Sequence, residues 1–268
     1  MRRVFCCYPG GKFKALTFSY DDGTIHDRRL VEIFNQNGCK GSFHLNSGLM
    51  TGERKISPEE AKTLYQGHEI SCHTVTHPTI ERCPLPLVMQ ELLEDRKALE
   101  KIAGYPVTGL SYPNGSYSDE IVEMLPMVGI KYARVTTVTE SIKAPQDFYR
   151  WEATCHHRSP RLMELGQQLL DHHKHQYLRL MYVWGHSYEF NTNDNWYIIE
   201  DFCRMMGGKD DIWYCTNLEY VQCMENFKRL EFAADNSFVH NPSAAECWIR
   251  VNDQIVCIPG GATVELPE

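Results

Sequence analysis

The sequence has no excess of basic residues, no long apolar run and no CxxC pair. Its 27 Lys and Arg stand against 35 Asp and Glu, a net charge of -8. Because a positive surface is what holds proteins on a phosphate backbone, we expect no nucleic-acid partner. No stretch approaches the ~18 apolar residues that cross a bilayer. No apolar signal-peptide core precedes the first glycines, so we expect a cytoplasmic location without membrane attachment.

The eleven cysteines are odd in number, and their spacing fits neither a disulfide framework nor a cysteine-rich zinc site. We therefore expect reduced, mostly buried thiols. The 43% hydrophobic and 23% charged residues are an ordinary globular balance, which excludes a disordered or fibrous chain.

Strand patterns alternate with helix patterns through most of the chain. A strand predicted over Phe13–Tyr20 precedes a helix over Asp27–Gln36, and Ser57-Pro58-Glu59-Glu60 combines an N-cap, a proline and a capping-box glutamate. About six or seven such βα units predict a parallel sheet, and their number favours an α/β barrel. An open doubly wound sheet is the alternative.

The C-terminal residues have a different pattern. Alternating segments at Trp248–Val251 and Ile255–Ile258 flank Asn252-Asp253, which predicts a β-hairpin. We therefore predict a barrel over residues 1–227 and a small β appendage over residues 228–268.

Two adjacent carboxylates close the first of these strands, in Thr17-Phe18-Ser19-Tyr20-Asp21-Asp22-Gly23. Active sites of parallel α/β folds lie at the carboxyl ends of the strands, so this placement favours catalysis. Adjacent residues of an extended chain point to opposite sides, so Asp21 and Asp22 can serve different roles. The alternative is a turn that caps a helix.

Two histidines, His73 and His77, follow another predicted strand in the segment HTVTHP. Histidines four residues apart can bind one metal where the chain turns, and here β-branched residues and Pro78 favour a loop over a long helix. With a carboxylate from another strand end they would form a three-ligand catalytic zinc site. Two unrelated loop histidines are the alternative.

Two further strand ends carry weaker signals. Ser111-Tyr112-Pro113-Asn114-Gly115 predicts a turn that can expose backbone N–H groups. His186 comes just after a strongly apolar strand, where an imidazole can act as an acid near neutral pH.

Together the segments TFSYDDG, HTVTHP, SYPNG and GHS resemble the motifs of the polysaccharide deacetylases, the NodB-homology carbohydrate esterases. The resemblance covers roughly residues 13–224. It implies a distorted (β/α)7 barrel and the hydrolysis of N-acetyl or O-acetyl groups on a carbohydrate.

The resemblance also implies roles for individual residues. Asp22, His73 and His77 would bind a divalent metal, most commonly Zn²⁺, with Co²⁺, Ni²⁺ or Mn²⁺ as alternatives. Asp21 would be the general base and His186 the general acid.

Two positions depart from the family pattern. Ser111 stands where the family has an arginine, and Asn114 replaces an aromatic residue. The backbone N–H of Asn114 would still serve the oxyanion, with Tyr112 beside it at the substrate. Asp147 and Trp151 fit the spacing of the fourth family motif.

Because Ser111 carries no charge, Asp21 needs another cation as its partner. Arg134 lies near the carboxyl end of the next predicted strand, Lys131–Val135. Strands of sequential βα units usually lie side by side, so we predict that Arg134 supports Asp21 from the neighbouring strand. Arg150 is the alternative.

Three functions are compatible with these residues: a deacetylase acting on an N-acetylated sugar, a hydrolase of a small non-sugar amide or cyclic imide, and a non-catalytic binding protein. The altered third motif favours the second, and the retained acid, base and ligands argue against the third. The histidines at 156, 157, 172, 173 and 175 could suggest a second metal site, but we interpret them as surface residues near a helix C-terminus.

Overall fold

The fold is built on parallel strands that alternate with helices. The computed structural model describes residues 2–268. Its strands are β1 (Val4–Cys7), β2 (Lys14–Asp21), β3 (Gly41–Leu45), β4 (Glu69–Cys72), β5 (Gly109–Ser111), β6 (Tyr132–Val138), β7 (Trp151–Ala153), β8 (Cys155–His156), β9 (Arg179–Gly185), β10 (Ile212–Tyr214), β11 (Glu231–Phe232), β12 (Phe238–His240), β13 (Cys247–Val251), β14 (Gln254–Ile258) and β15 (Thr263–Glu265). Its α-helices are α1 (Asp27–Gln36), α2 (Pro58–Leu64), α3 (Leu85–Ala103), α4 (Asp119–Met124), α5 (Leu162–Leu170), α6 (Ser187–Thr192), α7 (Tyr197–Met206) and α8 (Asn217–Arg229).

The central sheet closes on itself. Eight of its nine strands run in the order β7-β6-β5-β4-β3-β2-β9-β8, the ninth, β10, pairs with β2, and all neighbours are parallel. Only Thr154 separates β7 from β8, and its amide donates to the carbonyl of Tyr182 in β9 at 2.8 Å. The stretch 151–156 therefore joins β6 to β9, which confirms the predicted distorted (β/α)7 barrel. The sequence analysis did not identify this closing strand.

Side chains of the barrel strands alternate between the interior and the surrounding helices. Leu16 of β2 belongs to the apolar cluster under the helices, whereas Ala15 belongs to an interior cluster that also contains Tyr132 of β6. The same alternation puts Asp21 on the side of Ala15 and Arg134 on the side of Tyr132. Polar residues at the carboxyl ends of these strands therefore meet at one opening of the barrel.

One helix start was predicted from the sequence and another was not. The hydroxyl of Ser57 accepts a hydrogen bond from the amide of Glu60 at 3.2 Å, so the predicted start of α2 is confirmed. Helix α6 begins directly after His186, and the sequence analysis did not predict this short helix.

The C-terminal residues form more than one hairpin. The predicted pairing of β13 with β14 is present, and β1 from the N-terminal region pairs with β13, with Val4 opposite Val251. A second sheet has the order β11-β12-β15. The N-terminal strand thus belongs to the C-terminal β unit, while the domain division at residue 228 stays a prediction.

No disulfide joins the eleven cysteines within residues 2–268. In this same range, no helix has both the length and the apolar composition needed to cross a bilayer.

Candidate active site

Asp22, His73 and His77 converge at the carboxyl ends of β2 and β4. One ligand atom from each lies within 4.8 Å of the ligand atoms of the other two. The two imidazole rings are 4.6 Å apart and inclined at 73°. Two imidazoles and one carboxylate form the donor set of many catalytic zinc sites.

The orientation of His73 suits metal binding. Its Nδ1 donates to the carbonyl of Ser111 at 2.7 Å, which leaves the Nε2 lone pair facing Asp21 and Asp22, 3.9 Å from an oxygen of each. Burial lowers the pKa of His73 to about 4, so the ring is neutral at neutral pH. Asp95 of α3 accepts the backbone amide of His73 at 3.0 Å. The residues present therefore fit a divalent metal.

The ligand loops hold unusual backbone conformations. Asp22, Thr74 and His77 have φ values of 78°, 67° and 59°, in the left-handed region that non-glycine residues rarely adopt. Each such position costs about 1–3 kcal/mol and persists only where its surroundings fix it. Here Lys55 donates to the carbonyl of Asp22 at 2.6 Å, and Thr74 Oγ1 accepts the amide of His77 at 3.1 Å.

Asp21 is a buried carboxylate with one bound and one free oxygen. Its Oδ2 accepts from the guanidinium of Arg134 and from Ser111 Oγ, the latter at 3.1 Å. Its Oδ1 is buried and has no hydrogen-bond partner among the described residues. Burial alone would raise the pKa of Asp21, but Arg134 and then His73 lower this pKa well below its usual range. Asp21 is therefore ionised and has one oxygen available for a proton.

The structure brings Arg134 to Asp21 from the neighbouring strand. Arg134 lies directly opposite Ser111 in the β5–β6 ladder, and its guanidinium is 4.2 Å from the ring centre of Trp184. Arg150, the alternative partner, instead pairs with Asp147 and with Asp119 at the surface.

His186 faces Asp21 from the end of β9. Its Nε2 is 4.0 Å from Asp21 Oδ2, and its Nδ1 is 3.7 Å from Oε2 of Glu189 in α6. Burial alone would lower the pKa of His186, but Glu189 and then Asp21 outweigh burial and raise it. The sequence analysis missed Glu189, although its position three residues after His186 at a helix start was the available signal.

The interpretation of His156 and His157 as surface residues near a helix C-terminus was wrong. His156 ends the closing strand, and His157 follows it and is fully buried. Nε2 of each ring lies 3.1 Å from Glu189 Oε2.

The turn after β5 has one exposed and one buried member. Asn114 is exposed with a φ of 55°, and its side-chain amide donates to Thr79 Oγ1 at 3.2 Å. Tyr112 is buried, and its hydroxyl donates to the carbonyl of Tyr149 at 2.8 Å. The hydroxyl of Tyr112 is thus engaged with the backbone, and its substrate role stays a prediction.

Asp147 and Trp151 do not join the site. Asp147 lies in the loop before β7, where its Oδ1 accepts the amide of Tyr149 at 2.8 Å. Trp151 is fully buried and packs against Tyr132 and Tyr182 in the interior cluster. The assignment fails because both residues precede or begin the closing strand, whereas the site residues come from strand ends.

Comparison with known proteins agrees with this fold. The family model described as polysaccharide deacetylase matches residues 9–133. A Mycobacterium smegmatis protein assigned to the polysaccharide deacetylases is 15% identical, with a TM-score of 0.61 over 84% of this chain and 95% of that one. BA3943 of Bacillus anthracis, a CE4 family pseudoenzyme, is 14% identical, with a TM-score of 0.51 over 81% of this chain and 68% of that one.

The match to the Streptococcus pyogenes deacetylase PplD, solved in complex with acetate, is partial. It has 21% identity and a TM-score of 0.44 over 45% of this chain, and it spans 55% of that protein's length. The family match begins before β2 and ends in β6, so it includes both ligand loops and the turn after β5. The match to the polysaccharide deacetylase model thus covers slightly less than half of this chain, and over that part the chain is similar to this family.

Proposed function

We propose that the protein is a metal-dependent hydrolase that removes acetyl groups from an N-acetylated carbohydrate. The convergence of Asp22, His73 and His77 beside the ionised carboxylate of Asp21 carries this proposal. A divalent metal, with Zn²⁺ as the first choice, would when bound supply Lewis acidity to the acetyl carbonyl and to the attacking water.

The chain's own groups divide the proton transfers between them. Asp21 accepts the proton of the attacking water at Oδ1, because Oδ2 is held by Arg134 and Ser111. His186 donates from Nε2 to the departing amine, since its pKa is raised and this nitrogen faces Asp21. The backbone N–H of Asn114, in the exposed turn, would stabilise the oxyanion.

An aromatic face beside His186 supports a carbohydrate substrate. The Tyr188 ring centre is 5.2 Å from that of His186, and its side chain is exposed. Sugar rings present apolar faces that stack on such rings. Tyr182 and Trp184 are buried and serve the core instead.

The deciding experiment measures metal content and products together. The Zn²⁺-loaded protein is incubated with N-acetylglucosamine oligomers, an O-acetylated sugar and a cyclic imide, and acetate, ammonia and ring-opened products are quantified. We expect acetate from the oligomers, its loss in Asp21→Asn with metal retained, and no loss in the exposed control Asp147→Asn.

Other outcomes select the alternatives. Turnover of the imide without acetate release would replace the proposal with a small-amide hydrolase. A metal-loaded protein without turnover of any substrate would indicate a binding protein, in line with the pseudoenzyme state of its Bacillus anthracis relative.

A further inference from the structure

A second cluster of titratable side chains lies behind His186, on the side away from Asp21. Glu189 Oε2 is 3.1 Å from Nε2 of His156, 3.1 Å from Nε2 of His157 and 3.7 Å from Nδ1 of His186. Glu189 Oε1 is 3.5 Å from the guanidinium of Arg158. Three imidazoles and one guanidinium thus surround a single carboxylate.

Two elements fix this arrangement. Helix α6 places Glu189 one turn after His186, so both side chains lie on the same side. The chain leaving β8 brings residues 156–158 alongside, and the amide of His157 donates to the carbonyl of Trp184 at 2.9 Å. Gly185 makes room for the His157 ring, because a Cβ there would lie 2.1 Å from its Nδ1.

The cluster also meets the distance condition for a metal site formed by His156, His186 and Glu189. The proton on His156 argues against that use. The backbone amide of Arg158 donates to His156 Nδ1 at 3.1 Å, so neutral His156 carries its proton on Nε2, the nitrogen that faces Glu189. That nitrogen is a donor and has no lone pair to offer a metal.

We propose that Glu189 is the positioning residue of His186: it orients the ring through Nδ1, keeps the proton on it, and is itself held by His156, His157 and Arg158. This inference rests on the proposed role of His186 as the general acid. At 3.7 Å the contact between Nδ1 and Glu189 is an ion-pair contact and not a hydrogen bond, and it leaves Nε2 facing Asp21.

The charges around the cluster agree with this role. Burial alone would raise the pKa of Glu189, but His156 and then His157 lower this pKa well below its usual range, so the carboxylate stays charged. Burial lowers the pKa of His157 to about 4, so the His157 ring is uncharged at neutral pH. The charged groups that face His186 are then Glu189 on α6, Asp21 and Asp22 at the end of β2, and, beyond Glu189, Arg158 after β8.

The direct test is the pKa of His186 in the Zn²⁺-loaded protein, measured by NMR titration of the imidazole Cε1–H signals and assigned with His186→Gln. Glu189→Gln should lower this pKa by about 1 unit or more, since a neighbouring opposite charge typically shifts a pKa by ~1–3 units. Glu164→Gln, which removes an exposed carboxylate paired with Arg161, is the matched control and should leave it unchanged.

Kinetics provide a second readout. The acid must be protonated to act, so activity falls as the pH rises through its pKa. Glu189→Gln should therefore move the basic limb of the pH–rate profile to lower pH by the same amount, and lower kcat at least ~10-fold with little change in KM and metal content. Glu189→Asp keeps the negative charge but places it farther from His186, because the side chain is one methylene shorter. Compared with Glu189→Gln, it should restore part of the His186 pKa and a smaller part of the rate.

The outcomes separate this inference from the proposed function. An unchanged His186 pKa in Glu189→Gln, or in Glu189→Ala if the first variant fails to fold, overturns the inference. A second bound equivalent of Zn²⁺ that disappears in these variants would identify a metal site instead. A shifted pKa without acetate release from any substrate would remove the proposed function and leave the positioning role standing.

Discussion

Asp21 takes its cation from β6 rather than from β5, and the contribution of that cation can be measured. Arg134→Met keeps an unbranched apolar stem beside Trp184 but leaves a fully buried carboxylate without its partner. Removing one member of a buried ion pair costs about 3–5 kcal/mol. Losing the guanidinium over the indole adds about 0.5–2 kcal/mol. We therefore expect a loss of roughly 4–6 kcal/mol in the free energy of unfolding at neutral pH.

The sign of the pH dependence follows from the pKa of Asp21, which is lower in the folded state than in the unfolded chain. The pair therefore stabilises the fold above about pH 4, and this contribution is lost as the pH falls through the folded-state pKa. In Arg134→Met the pKa of Asp21 rises, so the carboxyl is protonated at higher pH. The stability difference between the two proteins should be largest at neutral pH and smaller near pH 4.

Urea unfolding at these two pH values, with the metal removed from both proteins, measures the difference without a contribution from metal binding. In the metal-loaded enzymes the acidic limb of the pH–rate profile should move up by ~1–3 units. Arg150→Met is the matched control, since Arg150 forms exposed pairs worth about 0–1 kcal/mol.

The double variant Ser111→Arg/Arg134→Ser should recover part of the lost stability and part of the shift in the acidic limb. The reason is that the two residues lie opposite each other in the β5–β6 ladder. Equal stabilities and equal acidic limbs for Arg134→Met and Arg150→Met would refute the electrostatic role of Arg134.

Three further predictions concern the site. His77→Ala and Asp22→Asn should each reduce bound metal at least ~10-fold by elemental analysis, whereas His172→Ala, away from the site, should retain it; full metal content in His77→Ala would contradict the ligand assignment. Asp21→Asn should keep the metal and lose ~10²–10⁴-fold in acetate release, and loss of metal instead would exchange the roles of Asp21 and Asp22. His186→Ala should lack the falling basic limb of the pH–rate profile; a limb that persists would point to another acid.

Residues next to each other in the sequence were predicted well because local chemistry decides their geometry. The alternation in β2 and the glycine after Asp22 mark a strand end, and His73 and His77 follow β4 in one short loop. The position of Arg134 required one non-local step, the adjacency of sequential βα strands, and that step succeeded because β5 and β6 are parallel neighbours.

Residues joined only by the closure of the barrel were not predicted. The closing strand consists of two short pieces, 151–153 and 155–156, too short for a periodic pattern. Glu189 follows His186 as one acidic residue at a helix start, where acids are common for reasons of helix stability alone. Only the closed barrel shows that His156 and His157 lie against Glu189.

The closing strand connects the residues that contact Asp21 with those that surround His186. Arg134, which holds Asp21, is the ladder partner of Trp151 on one side of this strand, and His156 is the ladder partner of Trp184 on the other. The buried Trp184 ring lies 4.2 Å from the guanidinium of Arg134 and 4.7 Å from the ring of His156. Because the indole of Trp184 packs against both Arg134 and His156, the positions of Asp21 and His186 depend on the same side chain. The closure that completes the barrel is therefore also what brings Asp21 and His186 close to each other.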